Sequence, residues 1–460
     1  MEALSLFPPL LALVVAVWTR NVYWALGLAI LVSETLLAGG NPLMGVLESV
    51  DRSVGVFASE GNTRILLFCL IIGALMAYMR TSGGVAAMVA WLRRSGLAAT
   101  PRRAGFITAL SGIVIFVETN ISLLSTGLLG RYLFDRLKVS RERLAYIIDS
   151  TCAPVSVLIL LNGWGFFILQ LMAENGVSAP LKALVWTVPF NFYPLLTLAL
   201  VFLTVGLNRT FGPLARLEAR SGPARPAPAG DAGLEDMVEA PSRPIYMWLP
   251  MLVLVGGTLG FMAWTGNGNL LRGSGSTAIL WSVVLATGIA FLALAHSGRR
   301  TGELLQTGFD GMGGLLPAVS VIFLAFVLGN SLSALGTGRY IAQLAADFPA
   351  PALIPALLFL VAGFTSFTTG TSWGTYGILV PIAVPLAVGA GVPLPLAMAA
   401  VMGGGVFGDH CSPISDTTII ASLAAGCDHF DHVRTQLPYA LAAGGAALLA
   451  YVGAGLVALS

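Results

Sequence analysis

Residues 403–422 read GGGVFGDHCSPISDTTIIAS, inside a long apolar run near the C-terminus. Two aspartates, a histidine, a proline and a row of hydroxyls sit between neighbours that read as hydrocarbon-facing helix. Proline removes a helical N–H donor and clashes with the preceding turn, so Pro413 is expected to open its helix. In lipid an opened helix is tolerable only where protein or a cavity satisfies the freed backbone groups. The stretch therefore predicts a broken helix whose carbonyls and side-chain oxygens line an ion site.

The solvent follows from composition. The chain is 56% hydrophobic and 10% charged, against about 25% charged for a soluble domain. Apolar runs of about 20 residues recur along it, the length that crosses a bilayer as helix. The alternating segments of a barrel do not occur. This pattern predicts an all-α polytopic protein of the cytoplasmic membrane, with the lipid bilayer as its first partner. The N-terminus carries Glu2 in place of a basic region and has no small-residue cleavage site, so it reads as a retained span. A net charge of +2 argues for no nucleic-acid partner. Cys69, Cys152, Cys411 and Cys427 form no C-x-x-C pair, which argues against a disulfide or metal framework.

Spans are expected at about 3–19, 21–39, 64–80, 144–173, 183–207, 245–265, 276–296, 313–335, 395–424 and 437–459. Two apolar segments are interrupted: 104–130 at VETN (Val117 to Asn120) and 351–388 at FTTGTSWGT (Phe367 to Thr375). Arginines crowd both flanks of the first, and the positive-inside rule puts both flanks in the cytoplasm. A single span cannot do that; a re-entrant hairpin can. The second segment has weakly charged flanks and suits a hairpin entering from outside. The N-terminus then lies outside. Residues 209–244 form a Pro/Ala/Gly-rich cytoplasmic linker without apolar period. It separates a first repeat (1–208) from a second (245–460), each with five spans, one hairpin and one broken helix, in inverted topology. Matching CAPVS at Cys152 with CSPIS at Cys411 supports the repeat.

Two pseudo-symmetric cation and proton sites follow, each pairing a hairpin tip with a helix opened at Pro154 or Pro413. The first draws on Glu118, Thr119 and Asn120 at the tip, with Asp149, Ser150, Thr151 and Ser156 at the break. The second draws on Thr369, Thr371 and Ser372, with Asp409, His410, Ser412, Ser415, Asp416 and Thr417. Hydroxyl and carbonyl oxygens suit a bare alkali cation. A buried carboxylate can hold a proton when the cation is absent, because desolvation disfavours its charge. His410 reads equally as a proton carrier or as a neutral, hydrogen-bonded loop residue.

The blocks TTGTSWGTYGILVPIAVPLA, GVFGDHCSPISDTTIIAS and KVSRERLAYIIDSTCAPVSVL resemble the NhaC-type Na+/H+ antiporter family of the ion transporter superfamily. The resemblance implies a sodium-coupled exchanger of elevator type, with Na+ and H+ as transported ions, no cofactor, and a homodimer. The family also holds exchangers of small organic acids. Where many relatives carry Asp-Asp-aromatic at the first tip, this chain has Glu118-Thr119-Asn120.

Other readings are weaker. GTSWG (Gly370 to Gly374) matches the serine-hydrolase elbow, which needs a strand before it. DHFDH (Asp428 to His432) reads as a solvated cytoplasmic turn, and Glu34 as an interfacial acid. Trp164 and Trp373 read as packing residues. A transporter of a small carboxylate or amino acid on the same fold is the alternative function. No Arg or Lys sits at a predicted break, which argues against a dianion. Paired broken helices around buried acids argue against a channel.

Overall fold

The computed structural model describes residues 3–84, 87, 100–116, 118–220 and 243–459, and these contain helices, turns and loops but no strand. Among the described residues, nine helices are long and apolar enough to cross a membrane. A tenth is reached if Val22–Leu37 and Pro42–Ala58, bent by 114°, count as one span.

The chain begins with α1 (Phe7–Thr19) and α2 (Val22–Leu37), packed on each other. Asn21 starts α2 by accepting the N–H groups of Tyr23 and Trp24. Gly39 and Gly40, both at positive φ, turn the chain sharply into α3 (Pro42–Gly55). This helix leaves Leu43, Leu47, Val50 and Val54 exposed and sends Arg52 inward. Arg52 forks onto Glu34 at 2.8 and 3.2 Å, and Ser331 donates to the same carboxylate at 2.6 Å. Glu34 is therefore a buried, paired acid joining three helices. Its arginine lies 18 residues on, beyond the reach of local pattern.

α4 (Glu60–Thr81) packs on the 34-residue α13 (Thr301–Ala334), where Gly73 and Gly311 let the backbones meet. α5 (Pro101–Val114) and α6 (Thr119–Arg136) flank the first interruption. Then come α7 (Arg141–Leu158), α8 (Gly163–Glu174), α9 (Phe192–Leu207) and α10 (Gly212–Arg220).

α10 departs from the expected linker. Pro213 starts it, and Leu214 and Leu217 share one face at helical spacing. Leu214 is fully buried, and the Phe211 N–H donates to the Tyr439 hydroxyl at 2.8 Å. Residues 221–242 lie outside the described residues.

The second half runs α11 (Ile245–Thr265), α12 (Gly275–His296), α13, α14 (Thr337–Ala346), α15 (Ile354–Thr369), α16 (Ser372–Gly389), α17 (Leu394–Cys411), α18 (Asp416–Ala425) and α19 (His429–Ala458). Among the described residues, α15 lies along α17 more extensively than any other helix pair touches. Apolar packing falls into two clusters. The larger spans α1, α2, α4, α8, α11–α13, α15–α17 and the later part of α19, with the end of α7 and the start of α9; the smaller joins α5–α7, α9, α10, α18 and the first part of α19.

Two breaks interrupt long apolar runs, and only one lies at its expected proline. Pro413 sits in the break between α17 and α18, with Ser412 extended before it (φ −86, ψ 127). Pro154 lies inside α7, and that run opens five residues later, at Ile159. The opening is made by Asn162 and Gly165. Asn162 Nδ2 donates to the Ser156 and Ile159 carbonyls at 2.8 Å each, and its Oδ1 accepts the Gly165 N–H at 3.1 Å. A Cβ on Gly165 would overlap the Leu160 carbonyl. Cys152 is thus interior to its helix while Cys411 ends one, so CAPVS and CSPIS do not occupy equivalent breaks.

Candidate functional site

Asp409, in the last turn of α17, is buried among hydroxyls. Ser366 of α15 donates to its Oδ1 at 3.0 Å, and Ser372, the first residue of α16, donates to Oδ2. The carboxylate therefore sits across the turn between α15 and α16, where Gly370 (φ +68) reverses the chain. A Cβ on Gly370 would press on the Ile414 carbonyl, so the turn lies directly on the α17–α18 break. Ser412 fastens the two together by donating to the Phe367 carbonyl at 2.8 Å.

The other expected residues of this half surround that centre without reaching the carboxylate. Thr369 bonds back to the Thr365 carbonyl at 2.8 Å, and the Thr371 carbonyl accepts the Thr375 hydroxyl at 2.9 Å. Ser415 and Thr417 bond each other at 3.0 Å. Asp416 opens α18 with an exposed side chain, one oxygen accepting the Thr417 N–H at 2.9 Å, within electrostatic reach of Asp409.

Asp149 has no place in a separate first-half site. It is fully buried on α7, and its Oδ2 faces the second half. Gln436 Nε2 approaches that oxygen at 2.6 Å, His432 Nε2 at 3.3 Å and the Thr418 hydroxyl at 3.3 Å. Gln436 Nε2 also reaches the His410 carbonyl at 3.2 Å, and Thr418 the Asp409 carbonyl at 3.1 Å. His410 Nδ1 pairs with the Tyr193 hydroxyl at 2.9 Å. The two carboxylates thus share one polar network where the two apolar clusters meet.

Nearer the first interruption, Thr119 and Ser156 share a hydrogen bond of 2.9 Å, so the tip does touch α7. Glu118 and Asn120 beside it are half-buried. Thr151 bonds back to the Ile147 carbonyl, and Ser150 is buried on the same helix. Ser156 lies seven residues beyond Asp149, about 10 Å along a helix. Trp164 and Trp373 pack with their rings tilted by 37° and centroids 4.6 Å apart, joining the start of α8 to the start of α16 as packing residues.

Several residues went unread in the sequence: Ser366, Thr418, His432, Gln436 and Tyr193 in the network, and Asn162 at the opening between α7 and α8. DHFDH is not a solvated turn. His432 is fully buried against Asp149, and His429 Nε2 lies 2.7 Å from the Pro413 carbonyl. Among the described residues no group of three or more His, Cys, Asp or Glu side chains could hold a metal ion together.

Residues 157–456 match the model of the Na+/H+ antiporter family. This chain belongs to that family. The matched region contains Asp409, Thr418, His432 and Gln436 and begins just after Asp149. An uncharacterised protein of Haemophilus influenzae is 30% identical across 98% of this chain and 90% of its own length. The malate-2H(+)/Na(+)-lactate antiporter of Bacillus subtilis is 30% identical over 35% of this chain and 33% of its own. Among solved structures, Neisseria gonorrhoeae MtrF, described as illuminating a class of antimetabolite efflux pumps, superposes with a TM-score of 0.54. It covers 90% of this chain and 84% of MtrF at 16% identity, a likeness of fold. The family member described here is a multi-pass membrane antiporter and not an enzyme.

Proposed function

We propose that this antiporter exchanges Na+ for H+ by alternating access of elevator type, with Asp409, Ser366 and Ser372 as the cation's side-chain ligands. One observation carries the reading: a buried carboxylate at a helix break, with two hydroxyls aimed at it from both sides of an intramembrane turn. An acid at membrane depth is costly and is kept where it is used. Hydroxyls that donate to Asp409 can rotate to present lone pairs, which gives a hard-oxygen ligand set without importing groups.

The inverted repeat is part of the proposal. In each half a helix pair joined by a short turn precedes a broken run and a further long helix, in the same order. An N-terminus outside, a cytoplasmic-membrane location and a homodimer complete it. If residues 104–130 re-enter, single cysteines at Thr100 and Ser140, in a cysteine-free background, label from one side only, the cytoplasm. Labelling from opposite faces would remove both the hairpin and the repeat.

Transport tests the cargo. In proteoliposomes with an internal pH dye, a Na+ pulse moves protons without any organic solute. The similarity to a malate/lactate antiporter supports a second reading, coupled transport of a small carboxylate or amino acid. Proton movement that appears only when such a solute is added selects that reading.

A further inference from the structure

We propose that the transported proton is held at the Asp149–His432 pair, separate from the cation-binding carboxylate Asp409 and linked to it through Thr418. This rests on the exchange reading above and assigns the proton a place of its own.

The pair is built like a proton site. Both side chains are fully buried, and they come from opposite halves of the chain, α7 and α19. All three donors to Asp149 converge on Oδ2, while Oδ1 has no hydrogen-bond partner among the described residues. His432 Nδ1 likewise has none. A buried carboxylate oxygen without a donor is costly, and a proton on that oxygen removes its charge. His432 of α19 touches Asp149, and the other charged or titratable groups within electrostatic reach of it are His410 and Asp409 of α17, Asp416 of α18 and Tyr193 of α9. Cys152 lies one turn along α7, contacted by Ser122 of α6, and Glu118 and Thr119 stand farther along, by Ser156.

Charge conservation supplies the coupling. With one proton the pair is neutral, either as carboxylate and imidazolium or as carboxylic acid and imidazole. On release, one N–H or O–H bond breaks, its electron pair stays behind, and the proton passes to water. The pair is then left with one negative charge. One Na+ arriving at Asp409 restores the total. Exchange of one ion for the other keeps the buried net charge constant, whereas taking either alone adds or removes a full charge in a low-dielectric interior.

The geometry carries the signal as well as the charge. The Thr418 hydroxyl has one proton and two acceptors, Asp149 Oδ2 at 3.3 Å and the Asp409 carbonyl at 3.1 Å. It can serve one of them at a time. A charged Asp149 draws it and a protonated Asp149 releases it, so the proton's presence reaches the helix turn that holds the cation's carboxylate.

The experiment compares two transport modes in proteoliposomes: Na+-driven proton movement, and counterflow of radioactive 22Na+ against unlabelled Na+, which needs no proton. Asp149→Asn is expected to lose proton movement at least about 30-fold while 22Na+ counterflow persists; Asp409→Asn loses both. His432→Gln keeps an N–H for Oδ2 but removes one of the two places where the pair can hold its proton, which lowers the pair's proton affinity. Its exchange profile moves acid by at least about one pH unit. If Asp149→Asn is not recovered folded, the His432→Gln profile decides alone. Wild-type protein without Na+-driven proton movement would overturn the exchange reading itself. Wild-type exchange together with full coupling in Asp149→Asn, or an unshifted profile in His432→Gln, would overturn the separate proton site.

Discussion

Asp409→Asn is expected to insert, purify as a monodisperse species and bind Na+ about 100-fold more weakly, with Na+-driven proton movement lost. Asparagine keeps the shape: its Oδ1 can still accept from one serine and its NH2 can donate to the other hydroxyl, so the turn between α15 and α16 stays docked. What disappears is the one full negative charge among the three ligands. A charge-assisted interaction contributes roughly 1.5–3 kcal/mol, and every 1.4 kcal/mol is about tenfold in affinity. Ser372→Ala removes a neutral ligand and is expected to cost about tenfold or less. Isothermal titration of detergent-solubilised protein, beside transport, separates binding from turnover. Near wild-type affinity in Asp409→Asn, with exchange and its pH profile intact, would make Asp409 a helix cap and leave the cation to Asp149 or Glu118.

How far such a site can be read from sequence depends on how local its cause is. The break at Pro413 is local: proline, its extended predecessor and the hydroxyls around them lie within a dozen residues, and Asp409 stands out as an acid in an apolar run. The same reasoning misplaced the first break. Pro154 is accommodated within α7, and the opening comes from Asn162 capping two freed carbonyls and Gly165 clearing a third. Neither residue is a helix breaker of proline's strength, so the stronger local signal misled. The Asp149 network fails to show for a different reason. His432 and Gln436 are four residues apart on one face of α19, yet their partner lies 283 and 287 residues away. Starting that helix at 437 left both residues in an imagined loop, where a histidine between aspartates reads as solvated. The amphipathic α3 was legible in principle. A search for spans passes over a helix whose apolar and polar residues are mixed.

Gly408→Val is expected to prevent recovery of folded protein or, where some is recovered, to lower its thermal midpoint by at least about 10 °C. The glycines that open the stretch at 403 are a mounting surface. Along the contact of α15 with α17, Gly404 and Gly408 are one turn apart and face Gly363. A Cβ on Gly404 would overlap the Phe359 carbonyl, and one on Gly408 the Gly363 carbonyl. Small residues four apart let membrane helices approach to backbone contact, where dispersion does the work that the hydrophobic effect does in water. Overpacking commonly costs about 1–3 kcal/mol, and here the obstruction is main chain, which cannot swing aside. The same Cβ would lie 2.6 Å from Ser366 Cβ and 2.7 Å from the Phe367 nitrogen. The substitution therefore pushes a proposed cation ligand off Asp409 as it separates the helices. Stability and Na+ affinity are expected to fall together, with Gly408→Ala intermediate in both. Gly453→Val, on exposed α19 surface with nothing within 4 Å of its added Cβ, is the matched control and is expected to be near neutral. Fluorescence-detected size exclusion and a thermal ramp read the first effect, and Na+ titration the second. A Gly408→Val protein as stable and as tight for Na+ as the control would show that the helix contact does not set the ligand geometry.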